Sequence, residues 1–138
     1  MSKENIVAIV DDDHIYRFTI KKNIEALKIP VKTLIFTHGK EALDFILENL
    51  ESVEKLPDTI LLDVNMPVMD GFEFMEKFKK LKPEIKNGMK IFMISSSINP
   101  TDINKAKTNL EITDYISKPI NMVKLQRIFP IKDNTDAS

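Results

Sequence analysis

The sequence predicts an α/β fold in which five β-α units build one doubly wound parallel sheet. Short apolar runs alternate with helical patterns along the whole chain, as they do in folds of this class. Four of the apolar runs end directly in polar residues, a pattern typical of the carboxyl edge of a parallel sheet. The length of 138 residues and the hydrophobic share of 43% suit the core of a single domain.

The first half of the chain predicts two strands and two helices. Ile6–Val10 is almost wholly β-branched and is interpreted as a buried strand, and Val31–Phe36 as the second strand. Pro30 closes the first helix, and Gly39 opens the second, which extends to Leu50. Each helix is predicted from an apolar stripe of helical period. The stripes consist of Tyr16, Ile20, Ile24 and Leu27 in the first helix and Ala42, Leu43, Ile46 and Leu50 in the second.

The middle of the chain predicts one helix between two further strands. The polar connector Glu51–Asp58 leads to the third strand, Thr59–Leu62, and a turn containing proline and glycine follows. Turn signals at positions 83 and 87–88 then separate the third helix from the fourth strand, Lys90–Ile94. The third helix is predicted from a stripe consisting of Phe74, Met75, Phe78 and Leu81.

The fourth helix has a clear start signal but few apolar residues. Asn99 is predicted to cap it, Pro100 suits its first position, and Asp102 favours the positive end of its dipole. The segment up to Leu110 is so polar that it predicts either a solvated face or a weakly packed, mobile element.

The last elements are a short strand and a short helix. Asp114–Ser117 is the fifth strand, and a fifth helix spans roughly Asn121–Phe129 until Pro130 stops it. Residues 1–130 are therefore predicted to form one domain, and residues 131–138 a disordered tail.

The order of these units predicts where a site would lie. Right-handed crossovers with helices on both faces require the direction in which successive strands are added to the sheet to reverse once. In the flavodoxin-like strand order 2-1-3-4-5, that switch lies between strands one and three. These two strands deliver Asp11, Asp12 and Asp63 to the same edge.

The three consecutive acids have different interpretations. A helix N-terminus accounts for one of them, and Asp13 is taken as that cap. Asp11 and Asp12 repel each other and gain nothing from capping, so another role must explain them. Their carboxylates are hard oxygen ligands, and the pair therefore predicts a Mg²⁺ site. Asp63, across the switch point, is interpreted either as a further ligand or as a nucleophile.

A hydroxyl and an ammonium complete the predicted set, and carboxylates, a hydroxyl and an ammonium at one edge suit a divalent cation and a phosphoryl group. Ser95 is the first residue past the fourth strand and is expected to hydrogen-bond a phosphoryl oxygen, in preference to Ser96 and Ser97. Lys118 follows the fifth strand and would neutralise phosphoryl charge. The bond before Pro119 is expected to be trans, as most such bonds are. His14 and His38 are rejected as ligands or bases, because a lone histidine at a helix start is more often simply exposed.

Composition excludes several other classes of function. The net charge of −1 and the isoelectric point of about 6.1 give no basic field for nucleic acid. Without cysteine, the chain has no disulfide, thiolate metal site or cysteine nucleophile. Neither a secretory signal nor a membrane span is visible in the sequence, so the cytoplasm is the expected location.

Five motifs, in this order and at this spacing, resemble the receiver domain of two-component response regulators, and the resemblance extends from Ile6 to Phe129. The motifs are Val10-Asp11-Asp12-Asp13, Leu61-Leu62-Asp63-Val64-Asn65-Met66-Pro67, Met69-Asp70-Gly71, Ile94-Ser95-Ser96 and Asp114-Tyr115-Ile116-Ser117-Lys118-Pro119. Two departures stand out: Glu111-Ile112 replace the Gly-Ala of many receivers, which predicts a different turn into the fifth strand, and the connector Glu51–Asp58 is long.

The resemblance implies a role for each site residue. Asp63 is the phosphoacceptor, and Mg²⁺ is held by Asp11, Asp12, Asp63 and the backbone carbonyl of Asn65. Lys118 contacts the phosphoryl group. Ser95 is the switch hydroxyl, and Tyr115 is the aromatic switch that turns inward on activation.

The resemblance also implies partners. A sensor histidine kinase or histidine phosphotransfer protein would supply the phosphoryl group, and the chain would catalyse its own phosphorylation and dephosphorylation rather than act as an ordinary enzyme. No output domain follows the fifth helix, so a stand-alone regulator is expected. Its downstream target would be a protein that binds the face made by the fourth helix, fifth strand and fifth helix.

Four alternatives stay open at this point. One is a phosphorelay carrier without conformational output, and another is a scaffold that no longer accepts phosphate. A haloacid-dehalogenase-like phosphohydrolase is disfavoured because its second aspartate is replaced by Asn65. A nucleotide- or flavin-binding module is disfavoured because the first β-α turn is acidic instead of glycine-rich.

Overall fold

The computed structural model of the chain describes residues 5–96 and 99–129. Within them, five strands alternate with six α-helices and one 3₁₀ turn. The order is β1 (Asn5–Val10), α1 (His14–Ala26), β2 (Val31–Phe36), α2 (Gly39–Glu48), a 3₁₀ turn (Val53–Lys55), β3 (Thr59–Asp63), α3 (Gly71–Phe78), α4 (Pro83–Lys86), β4 (Lys90–Ser95), α5 (Pro100–Thr108), β5 (Ile112–Ser117) and α6 (Met122–Ile128).

The five strands form one parallel sheet in the order β2-β1-β3-β4-β5, which confirms the predicted topology. The register aligns the ends of the inner strands: Val10 pairs with Leu62, Asp63 with Ile94, and Ser95 with Ser117. Because all strands point the same way, the residues that end them meet at one edge of the sheet.

Two hydrophobic clusters, one on each face of the sheet, make up the core. One lies beneath α2, α3 and α5, and its largest fully buried rings belong to Phe74 and Phe78. The other lies beneath α1 and α6, around Ile20, Ile24 and Leu125. Successive residues of β1 alternate between the clusters, as the pleat of a strand buried on both faces requires.

Several boundaries differ from the predicted ones. α1 ends at Ala26, before Pro30, because Lys28 takes a left-handed conformation with φ of 56° that a helix cannot continue. α3 ends at Phe78, short of Leu81, and the following segment forms the separate helix α4. That helix and the 3₁₀ turn were not predicted, because three or four residues are too few for a periodic signal.

The entry into β5 is a hydrogen-bonded turn; whether it differs from that of other receivers stays a prediction. The strand begins at Ile112, two residues before the predicted start, after a turn in which the Asn109 side chain accepts from the Glu111 N–H at 2.9 Å. The Asn109 carbonyl accepts from the Ile112 N–H at 3.1 Å. Asn109 thus forms a hydrogen-bonded turn that leads into the strand.

The predicted start of the polar helix is confirmed. The Asn99 side chain accepts a hydrogen bond from the Thr101 N–H at 2.8 Å, and Pro100 occupies the first position of α5. Ala106 is the one helical residue of α5 that is fully buried, which agrees with a solvated face. Its mobility stays a prediction, and both Pro130 and the tail at 131–138 lie outside the described residues.

Among the residues that the structure describes, no helix is long and apolar enough to cross a membrane. We name the surface formed by α5, β5 and α6 the α5–β5–α6 face; it corresponds to the predicted fourth helix, fifth strand and fifth helix.

Candidate functional site

The predicted site residues meet at the carboxyl edge of the sheet. Asp11 follows β1, Asp63 ends β3, Ser95 ends β4 and Lys118 follows β5. The site lies where β1 and β3 are neighbours while their helices cover opposite faces. This is the switch point at which doubly wound sheets bind their ligands.

Three carboxylates converge at this edge. One oxygen from each of Asp11, Asp12 and Asp63 lies within 4.8 Å of the other two. Asp11 and Asp63 are buried, being 3% and 5% exposed, whereas Asp12 is exposed at the mouth of the site. The cluster therefore concentrates charge that only a cation or a proton can offset.

Asp13 has the structural role that was predicted for it. Its side chain accepts from the N–H groups of Ile15 and Tyr16 at 3.0 and 3.2 Å and caps α1. Its own N–H donates to Oδ1 of Asp11 at 2.9 Å, and this bond orients the Asp11 carboxylate. His14 is exposed on the first turn of α1, and His38 caps α2 by accepting from the Glu41 N–H at 3.2 Å.

The cluster fits a divalent cation. Oxygen ligands of an octahedral Mg²⁺ stand about 2.1 Å from the ion, so opposite ligands are roughly 4.2 Å apart. The three carboxylate oxygens lie within 4.8 Å of one another, which is close to this spacing. All are hard ligands, as Mg²⁺ prefers, and neither described histidine belongs to the cluster.

Lys118 joins the cluster from the other side. Its Nζ lies 2.9 Å from Oδ2 of Asp11 and 3.6 Å from Oδ1 of Asp63. Its backbone N–H donates to the carbonyl of Ser95 at 2.8 Å. Ser95 itself is fully buried, so these contacts bring together the hydroxyl-bearing and cationic residues that the sequence indicated.

Burial and charge set the protonation of the site. Burial, followed by the charge of Asp11, raises the pKa of Asp63 from 3.8 to about 6, although Lys118 and the Asn65 N–H oppose the shift. For Lys118, burial lowers the pKa, but the hydrogen bond to Asp11 and the charge of Asp63 outweigh it and raise the pKa overall. Near pH 7 the site thus contains a mainly ionised carboxylate beside an ammonium.

Gly71 allows the loop after β3 to lie tightly against Asp63. A Cβ at this position would come within 2.7 Å of the Asp63 carbonyl oxygen and 2.7 Å of Cε of Met93. The Gly71 N–H donates to the Val64 carbonyl at 2.8 Å, and Asp70 with Glu73 forms a capping box that starts α3. The exposed Asn65 lies on this loop and donates its N–H to Asp63; its carbonyl as a metal ligand stays a prediction.

Tyr115 lies on β5 and is half-buried against the cluster beneath α2, α3 and α5. It is therefore on the α5–β5–α6 face, as predicted, and its role as a switch stays a prediction. One expectation was wrong: the Lys118-Pro119 peptide bond is cis. The free-energy difference between cis and trans is small before proline, so the surrounding structure can select the cis form.

Sequence reasoning missed two residues that contact this segment. The Tyr16 ring lies under the Lys118 ammonium, with 4.3 Å from Nζ to the ring centroid. Lys124 donates from Nζ to the Ser117 carbonyl at 3.0 Å and to the Pro119 carbonyl at 3.3 Å. The apolar stripe of α1 indicated only that Tyr16 faces the core, and no sequence pattern indicated Lys124.

Comparison with known proteins decides the family. The family model described as the response regulator receiver domain matches residues 7–129. The chain belongs to the response regulator receiver family. It is thus a receiver domain of two-component signalling, and the motifs that carried the resemblance form the edge described above.

Solved structures of other receivers agree with this fold. A two component response regulator from Cytophaga hutchinsonii superposes with a TM-score of 0.82 at 29% identity, covering 93% of this chain and 96% of that one. A response regulator receiver protein from Dyadobacter fermentans gives a TM-score of 0.76 at 30% identity, covering 91% and 98%.

Among curated proteins, the sensor histidine kinase CheAY of Helicobacter pylori is 34% identical over 114 residues. That match covers 83% of this receiver but only 13% of the kinase, so the similarity concerns one part of a much longer protein.

Proposed function

We propose that this receiver accepts a phosphoryl group on Asp63 in a Mg²⁺-dependent reaction and signals through protein contacts. The donor would be a sensor histidine kinase or a histidine phosphotransfer protein. One observation carries the proposal: the Asp63 carboxylate lies beside those of Asp11 and Asp12 and 3.6 Å from the Lys118 ammonium. This arrangement combines a nucleophile with groups suited to the charge of a phosphoryl group.

The transfer step forms one bond to phosphorus and breaks another. An ionised oxygen of Asp63 attacks the phosphorus of the donor, and a new O–P bond forms while the donor's P–N bond breaks. The electron pair stays on the departing imidazole, which takes its proton from water. The product is an acyl phosphate on Asp63. Later attack of water on its phosphorus breaks the new O–P bond, releases inorganic phosphate and returns the carboxylate.

Asp11, Asp12, Asp63 and the Asn65 carbonyl would hold the Mg²⁺ ion, which supplies positive charge to the phosphoryl oxygens when bound. Lys118 lies 3.6 Å from Asp63 and would stabilise the same charge as a point cation. The Ser95 hydroxyl would donate to a phosphoryl oxygen. Its movement toward that oxygen would open space for the Tyr115 ring, which is the proposed switch.

The output of this receiver would be a protein that binds the α5–β5–α6 face. Ser95 and Tyr115 both belong to strands at this side of the sheet, so a change at Asp63 reaches that face through adjacent elements. We propose that residues 1–130 act as one receiver unit and 131–138 as a tail, and that the protein works in the cytoplasm.

Phosphorylation by a small acyl-phosphate donor tests the proposal. We expect the wild-type protein to gain one phosphoryl mass in intact-mass spectrometry with Mg²⁺ and none after chelation. Asp63→Asn should stay folded and gain none, because an amide oxygen is a poor nucleophile. Asp44→Asn, at an exposed aspartate of α2 paired with Lys40, is the matched control and should react like the wild type. A phosphoryl group on Asp63→Asn would show that the acceptor is another residue.

A further inference from the structure

We propose that Tyr16 is a positioning residue that holds the Lys118 ammonium in place beside Asp63. The inference rests on the proposed phosphoacceptor function, in which Lys118 contacts the phosphoryl group. Tyr16 belongs to none of the motifs on which the family resemblance depends, and its place on the apolar stripe of α1 indicated only a core residue.

The first support is that the Lys118 ammonium is surrounded. An ammonium has three N–H donors. Two carboxylates lie near it, Asp11 at 2.9 Å and Asp63 at 3.6 Å, and the face of the Tyr16 ring covers a third side at 4.3 Å from the ring centroid. The side chain of Lys118 is only 19% exposed, so the ring covers a side of the ammonium that would otherwise face solvent. Cation–π attraction is strongest where water is excluded in this way.

The second support is that the hydroxyl of the same tyrosine holds the backbone beyond Lys118. The Ile120 N–H donates to the Tyr16 oxygen at 3.1 Å. Tyr16 therefore contacts both the side-chain head of Lys118 and the chain two residues later, from a different element of the fold. A leucine or methionine would fill the apolar stripe of α1 equally well but would make neither contact.

These contacts have a direct consequence for transfer. Lys118 is long and flexible, and without the ring its ammonium would be free to leave both carboxylates and take many orientations toward water. The ring removes these orientations without competing for the charge, since it accepts no proton and forms no ion pair. The ammonium is thus positioned before a phosphoryl group arrives, which lowers the entropic cost of contacting it.

Two substitutions separate the two contacts. Tyr16→Phe keeps the ring but loses the hydrogen bond with Ile120, whereas Tyr16→Leu loses both. The matched control is Phe18→Leu, also on α1. Phe18 is 61% exposed, and its ring lies 5.5 Å from the ammonium of Lys22, a lysine that has no assigned role in the site. Folding of each variant is checked by thermal unfolding.

The first readout is spectroscopic and requires no phosphorylation. In NMR spectra of the metal-free wild-type protein, the ring should shift the ε-methylene protons of Lys118 upfield. That shift should persist in Tyr16→Phe and in Phe18→Leu, and disappear in Tyr16→Leu. A wild-type signal without an upfield shift would overturn the inference.

The second readout is the rate of phosphorylation by the acyl-phosphate donor. Tyr16→Leu should react about three- to tenfold more slowly, the factor expected from one partly buried cation–π contact. Tyr16→Phe should recover most of the rate, and Phe18→Leu should match the wild type. In a Lys118→Met background, Tyr16→Leu should cause no further slowing, because the residue acts through Lys118.

The outcomes distinguish the inference from the function on which it rests. A wild-type protein that takes no phosphoryl group would overturn the proposed function itself. A wild-type protein that reacts normally, together with a folded Tyr16→Leu or Tyr16→Phe variant, tests Tyr16 alone. Equal rates for wild type and Tyr16→Leu, or an equal further slowing in the Lys118→Met background, would overturn the positioning role.

Discussion

At the scale of single residues, the carboxyl group of Asp63 determines how the site depends on pH. Its pKa is raised to about 6, first by burial and then by the charge of Asp11, whereas in the unfolded chain it returns to about 3.8. Above pH 6 the folded state must hold an ionised carboxyl that its surroundings disfavour. As the pH falls from about 6 toward 3.8, the folded state takes up a proton that the unfolded state does not, so this cost disappears.

We therefore expect Asp63→Asn to stabilise the metal-free protein. In a chelating buffer near pH 7.5, the free energy of unfolding should rise by about 2 kcal/mol, since the neutral amide avoids the cost of the buried charge. The gain should shrink as the pH is lowered through 6 toward 4, and urea denaturation at several pH values measures it. Asp44→Asn, at an exposed position, should change little. A gain that stays constant with pH would contradict the raised pKa.

The neighbouring acids Asp12 and Asp13 are a natural pair for testing the metal site. Asp12→Asn should weaken Mg²⁺ binding severalfold, because it removes one of the three converging carboxylates. The same substitution should stabilise the metal-free protein by relieving repulsion. Calorimetric titration with Mg²⁺ measures the first effect.

Asp13→Asn is the control, since asparagine keeps the capping bond to α1 and Asp13 lies outside the cluster. Its Mg²⁺ affinity should stay near that of the wild type. Unchanged affinity in Asp12→Asn would remove Asp12 from the site.

At the scale of elements, the connection between β3 and α3 determines how precisely Asp63 is held. The loop turns within seven residues and passes through Val68 at a positive φ of 69°. It returns so close to the backbone of Asp63 that only glycine fits at position 71. The position of the nucleophile thus depends on a backbone contact as well as on its own side chain.

Gly71→Ala should destabilise the protein by about 1–3 kcal/mol, because the added Cβ would meet the Asp63 carbonyl and Met93 at 2.7 Å. It should also slow phosphorylation by displacing Asp63. Gly88→Ala is the matched control, since its Cβ would meet only the Ile85 carbonyl, at 3.7 Å, and both glycines have negative φ. Urea denaturation and the acyl-phosphate assay compare the two. Equal stability of both variants would show that the loop shifts without cost.

At the scale of the whole molecule, the proposed signal travels from the edge of the sheet to one of its outer faces. A beryllium fluoride adduct, which mimics the phosphoryl group, should perturb residues 95–110 and 114–129 most in chemical-shift mapping. The reason is that Ser95 and Lys118 would move toward the new charge and carry β4, β5 and their helices with them.

The internal control for this experiment is α2, which contacts β1 and β2 at the other end of the sheet from β5 and should change little. Shifts confined to the pocket would contradict the proposed switch. They would favour a phosphorelay carrier that passes its phosphoryl group on without changing the α5–β5–α6 face.

Much of this architecture could be predicted, and particular elements show why. The strands, apart from the start of β5, and the helix caps at Asp13 and Asn99 were predicted correctly because they depend on local chemistry. Helix α4 was missed because four residues are too few to show a helical repeat of apolar residues. The end of α1 was misplaced because the left-handed residue is Lys28, whereas glycine is the usual sequence signal for that conformation. The cis bond before Pro119 was missed because the surroundings select the isomer.

By itself, the sequence determined the fold class, the strand order and the set of residues that meet at the edge of the sheet. Parallel strands deliver their last residues to one edge, so Asp11, Asp63, Ser95 and Lys118 follow from their places in the chain. Only the tertiary structure decided how these groups act on each other. The raised pKa of Asp63, the ion pair of Lys118 with Asp11 and the ring beneath that ammonium all depend on burial and on distances between residues far apart in sequence. Such distances are set by packing, which no local pattern encodes.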